Sequence, residues 1–72
     1  MHPATMALAA AGSSSVDVAA VLGVTSAAVS SYFAGINRPH PDLPEALREL
    51  VGADAARNVL ALIPERDAQG PA

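Results

Sequence analysis

The sequence predicts an all-α, compact five-helix domain, and three observations carry that expectation. Alanine and leucine, both strong helix formers, dominate the apolar content. Apolar residues recur at three- and four-residue spacing, with no run of the strict alternation that a half-buried strand requires. Glycines or prolines close each periodic stretch, and serine, threonine or aspartate opens the next.

Residues Pro3 to Ala11 form the first expected helix, since proline is tolerated in a first turn and Gly12 can end the helix in a left-handed conformation. Met6, Leu8 and the alanines are expected to face inward. Ser13, Ser14 and Ser15 offer hydroxyls to cap a second helix, with Asp17 near its positive end, and that helix runs to Leu22. Gly23 takes the turn, and Thr25 caps a third helix from Ser26 to Ala34. Val29, Tyr32, Phe33 and Ile36 fall at i, i+3, i+4 and i+7 and predict one buried stripe.

Gly35 ends that helix, and Asn37-Arg38-Pro39-His40-Pro41 reads as a stiff, extended connector in which His40 is exposed. Asp42 and Glu45 have capping-box spacing for a fourth helix, Pro44 lies in its first turn, and Leu43, Leu47, Leu50 and Val51 make its inner face. Gly52 stops it. Asp54 is then expected to cap a fifth helix whose apolar face is Ala56, Val59, Leu60 and Ile63, before Pro64 closes it. The domain is thus expected over residues 1–63, with a disordered tail over 64–72.

A chain of 72 residues has room for one domain with a modest core. The hydrophobic fraction is 51%, but 17 of these residues are alanine, so the core must be thin and the helices closely packed. The absence of cysteine excludes disulfide staples, thiolate metal ligands and thiol nucleophiles. Two isolated histidines, without an HExxH pattern or a paired-carboxylate context, offer neither a catalytic set nor a metal site, so no enzyme and no cofactor is expected. No stretch approaches the roughly 18 apolar residues of a membrane span, and no basic segment leads into an apolar run. A soluble, cytoplasmic protein is expected. The glycines follow no strand and form no phosphate loop.

The net charge is −3, yet it is unevenly placed. Residues 13–41 carry only Asp17 and Arg38, while all the net negative charge lies in residues 42–67. The near-neutral segment contains the most informative stretch, VAAVLGVTSAAVSSYFAGINRP from Val18 to Pro39. Ala19 is small where two helices must cross, Gly23 takes the sharp turn, and Val29 locks the second helix against the first. Thr25, Ser26, Ala27, Ser30 and Ser31 are small or polar and lie away from the apolar stripe.

This stretch resembles the XRE-type, lambda-repressor-like helix-turn-helix family. The family's small-residue, glycine, apolar and aromatic positions fall on Ala19, Gly23, Val24, Val29 and Tyr32. Its exit turn falls on Gly35, Asn37, Arg38 and Pro39. The likeness covers roughly residues 12–52, more than half the chain. It implies that residues 15–22 are a positioning helix and residues 26–34 a recognition helix entering the major groove of double-stranded DNA.

By the same resemblance, Ser26, Ala27, Ser30 and Ser31 approach base edges, and Ser15, Thr25, Asn37 and Arg38 approach phosphates. None of the base-contact residues offers the bidentate discrimination of Arg, Asn or Gln, so direct readout is expected to be modest. Tyr32, on the apolar stripe, is expected in the core rather than stacked on a base. The implied function is a sequence-specific transcriptional regulator working as a homodimer, with Val59, Leu60 and Ile63 as the candidate dimer surface. The alternative is that this face closes the monomer core. A second functional reading is a protein-interaction module or antitoxin-like regulator that uses the same fold with little DNA affinity, supported by the acidic balance.

Overall fold

A computed structural model describes residues His2 to Pro64. Of the tail expected over residues 64–72, all but Pro64 lies outside the described residues. Among the described residues the chain forms five helices and no strand: α1 Pro3–Ala10, α2 Ser15–Leu22, α3 Ser26–Ala34, α4 Leu43–Val51 and α5 Ala53–Ala61.

α1 and α2 meet at 91°. That bend and the shortness of every helix leave no single described helix long and apolar enough to cross a membrane. α2 packs on α3 and α4, while α5 closes the other side by packing on α4 and α1. Phe33, Leu8, Leu43, Leu47, Val18, Val29 and Val59 are the largest fully buried side chains of the core so formed. Ala4, Ala19 and Ala56 are buried among them, which lets the helix backbones approach closely. No buried polar or charged residue interrupts the core among the described residues.

Several expected details differ. Met6 is 56% exposed: it lies two residues before Leu8, about 200° around the helix, so the two cannot share the inner face. Ile36 is 65% exposed although it continues the spacing of Val29, Tyr32 and Phe33. The helical period ends at Gly35, whose φ of 76° turns the chain away before Ile36 is reached.

The capping assignments depend on backbone direction. Asp42 has φ −91° and ψ 6° rather than the extended conformation of a capping residue, and its carboxylate makes no cap bond. Glu45, its intended partner in a capping box, pairs instead with Arg48 at 3.3 Å. Asp54 is not a cap either, because α5 already begins at Ala53 and the residue before it is Gly52. Asp54 thus lies in the first turn, near the positive end of the helix, and sits 3.9 Å from Arg57. Ser14 occupies the cap position of α2 without a side-chain cap bond, and Ser13 donates its hydroxyl to Asp17 Oδ2 at 3.1 Å.

His40 is half-buried rather than exposed. Its Nδ1 accepts the Asp42 N–H at 3.0 Å and its carbonyl accepts the Leu43 N–H at 3.0 Å, so it builds the turn into α4.

The α5 face closes the monomer core. Val59 is 0% exposed, which removes it from any dimer surface, and Leu60 and Ile63 pack partly buried against the same core. Pro64, expected to open the tail, lies against Gly35.

Candidate nucleic-acid interface

α2 and α3 are joined by three residues, Gly23 to Thr25, and the turn is built from local chemistry. The Ala19 carbonyl accepts the Gly23 N–H at 2.8 Å and the Val24 N–H at 3.1 Å, which requires the chain to reverse at Gly23. Gly23 does so at φ 73° and ψ 31°, a left-handed conformation that costs a residue with a Cβ roughly 1–2 kcal/mol. Val24 then turns inward against the core. Thr25 restarts the helix from an extended backbone, its Oγ1 accepting the Ala28 N–H at 3.1 Å, as its place before Ser26 predicts.

Ala19 is only 6% exposed, so the residue whose backbone carbonyl anchors the turn also has its methyl group in the packed core. α3 meets α2 and α1, and its buried side chains are Val29, Tyr32 and Phe33. Tyr32 therefore belongs to the core. The opposite face is left to solvent. Ser26, Ala27 and Ser30 are all exposed and, at i, i+1 and i+4, share a sector about 100° wide.

Ser31 lies at the edge of this sector, half-buried, with its hydroxyl donated to the Ala27 carbonyl at 3.1 Å. Its proton is committed within the helix, and only its oxygen remains to accept a bond from outside. Thr25 is exposed at one end of α3, and Asn37 and Arg38 are exposed beyond the other. The proposed phosphate-facing residues thus bracket a helix about 13 Å long. Ser15, half-buried, opens α2 and is set apart from the α3 face.

Charge is arranged around this face rather than on it. α3 contains no Asp, Glu, Lys, Arg or His, and Arg38 is the cation nearest to it in sequence. Three of the described acids, Asp42, Glu45 and Glu49, line a shallow groove between α2 and α4, with Val21, Leu22 and Ala46 as its other walls, while Asp17 lies in the first turn of α2, two residues from Ser15, and Asp54 in that of α5. Arg48 and Arg57 are turned toward Glu45 and Asp54 on their own helices, as their three-residue spacing predicts. Both pairs are well exposed and so contribute little to stability.

Among the described residues no group of three or more His, Cys, Asp or Glu is placed to hold a metal ion. Two features of this region escape a reading of the sequence. The role of His40 has a weak local signal, a side-chain acceptor two residues before an amide it can reach. The contact of Pro64 with Gly35 has none, because it joins the ends of two helices far apart in the chain.

Compared with family models, with curated proteins and with solved structures, the chain matches none.

Proposed function

We propose that this protein is a sequence-specific DNA-binding transcriptional regulator of the lambda-repressor-like helix-turn-helix kind. α3 enters the major groove, with Ser26, Ala27, Ser30 and Ser31 toward base edges. Ser15, Thr25, Asn37 and Arg38 reach phosphates on either side. One observation carries this reading: a three-residue turn with a left-handed Gly23 holds α3 against α2 so that a small, uncharged, exposed face points outward.

The chemistry of that face sets the mode of recognition. Serine hydroxyls can donate to or accept from several bases, and the Ala27 methyl can touch a thymine methyl. An α-helix with short side chains approaches the groove floor closely, so shape and thymine contacts carry more of the discrimination than bidentate hydrogen bonds. Arg38 gives each protomer about one or two neutralised phosphates, which makes the salt dependence shallow and the affinity of a single protomer low. Two protomers on a two-fold operator, with half-site centres about one helical turn apart, multiply that affinity. Neither catalysis nor a cofactor enters this role, and its setting is the cytoplasm.

An electrophoretic mobility shift with the DNA flanking the protein's own gene, at low and at moderate salt, tests the proposal. A discrete shift that survives non-specific competitor supports it. No shift at low salt overturns it.

A second reading is favoured by the acidic groove between α2 and α4, where Asp42, Glu45 and Glu49 surround Val21 and Leu22. In that reading the domain is a protein-interaction module and α3 is a structural helix. Retention of a basic partner together with failure of the DNA shift is its signature.

A further inference from the structure

The exits of α2 and α3 are built alike, and the difference between them points to a role for Pro64. Each helix ends on a left-handed glycine, Gly23 at φ 73° and Gly35 at φ 76°. In each, the next residue donates its N–H back to a carbonyl five residues earlier: Val24 to Ala19 at 3.1 Å, and Ile36 to Ser31 at 3.0 Å. An apolar residue in that place normally packs back on the helix and anchors the turn. Val24 does so, partly buried against the core. Ile36 is 65% exposed and buries little.

The exit of α3 has a different anchor. Pro64 Cβ and Cγ lie 2.9 and 3.3 Å from the point where a Cβ on Gly35 would stand, and the Pro64 carbonyl oxygen lies 3.4 Å from it. Nothing lies within 4 Å of the same point at Gly23. The Gly35 backbone thus has on one side the α3 carbonyls that accept its N–H, those of Ser31 and Tyr32, and on the other Pro64, whose ring borders Gly35 while its outer side stays exposed. A proline ring has a fixed φ and no rotamers to freeze, so it loses little entropy when it packs.

We propose that Pro64 is a positioning residue that replaces the apolar anchor absent at Ile36 and holds the turn carrying Asn37 and Arg38. Through it the end of α5 sets the geometry at the end of α3. The clamp stands on the packing alone; its purpose, presenting Asn37 and Arg38 to phosphates, rests on the DNA-binding reading.

The test is the full chain carrying Pro64→Gly, followed by amide hydrogen exchange. Exchange at Ile36 and Asn37, whose N–H groups both point to the Ser31 carbonyl, is expected to rise about tenfold while Val24 is unchanged. Pro64→Ala, which keeps the Cβ, gives an intermediate rise. Unchanged exchange at Ile36 and Asn37 overturns the clamp, and so does an equal rise at Val24, which signals global destabilisation. On operator DNA, Pro64→Gly is expected to weaken binding as much as Arg38→Ala, with the double variant no weaker than the worse single variant. Fully additive losses overturn the link to Arg38. A wild-type chain that shifts no DNA removes the DNA-binding reading, while the exchange result still decides the clamp.

Discussion

The Thr25 Oγ1 accepts the Ala28 N–H at 3.1 Å, and through this bond the turn after Gly23 becomes the first turn of α3. Thr25 is the described helix cap in this chain whose side chain makes the bond its sequence position suggests; the residues at the cap positions of α1, α2, α4 and α5 make none. Thr25→Ala should therefore destabilise the domain by about 1 kcal/mol, and Thr25→Ser should restore most of it. In a domain of this size that loss lowers Tm by about 4–8 °C, which thermal unfolding followed by circular dichroism resolves.

The two turn glycines separate backbone strain from crowding. Gly23→Ala meets no neighbouring atom and should cost only the left-handed penalty, roughly 1–2 kcal/mol. Gly35→Ala adds an overlap with Pro64 and should cost distinctly more. Denaturant unfolding of both variants and of Gly35→Ala combined with Pro64→Gly checks this. Because Pro64→Gly removes the overlap but also the packing on Gly35, the combination should cost less than the sum of the Gly35→Ala and Pro64→Gly losses.

Phe33 is the largest fully buried side chain and lies where α3 meets the core. Its replacement by alanine should cost about 3–5 kcal/mol, through lost transfer energy and the cavity left behind. Small domains hold little reserve, so Phe33→Ala should be largely unfolded at 37 °C by circular dichroism.

Ile36 and Val59 make a paired test of which apolar residues are core. Ile36→Ser should change stability by less than about 0.5 kcal/mol, because the residue is exposed. Val59→Ser places a hydroxyl in a fully buried site and should cost about 2 kcal/mol or more. A Val59 variant that kept its Tm and changed only the sedimentation behaviour would contradict the assignment of Val59 to the core.

Binding measurements against salt distinguish the roles proposed around α3. Arg38→Ala should weaken operator binding across all sequences and lower the slope of log affinity against log salt by about 1. Ser26→Ala should leave the slope unchanged and reduce discrimination between operator variants. Equal slopes for wild type and the Arg38 variant would take Arg38 off the phosphate backbone.

The sequence by itself determined what depends on neighbours within a turn or two. The starts and ends of α2 and α3, the stops at Gly23 and Gly35, the cap at Thr25 and the burial of Val29, Tyr32 and Phe33 are local consequences of helical period and backbone sterics. The sector of Ser26, Ala27 and Ser30 follows from the same period. Asp42 is a local case that side-chain type alone misreads: its N–H bonds to His40 two residues earlier, and its backbone conformation keeps the carboxylate off the helix end. Tertiary structure decided the rest. Val59, Leu60 and Ile63 form an apolar face, and packing on α1 and α4 buries Val59 fully and Leu60 and Ile63 in part. Pro64 meets Gly35 only because α5 returns across the domain. A hydrophobic pattern says that a face must be buried; which surface buries it is a non-local choice made by shape and chain connectivity.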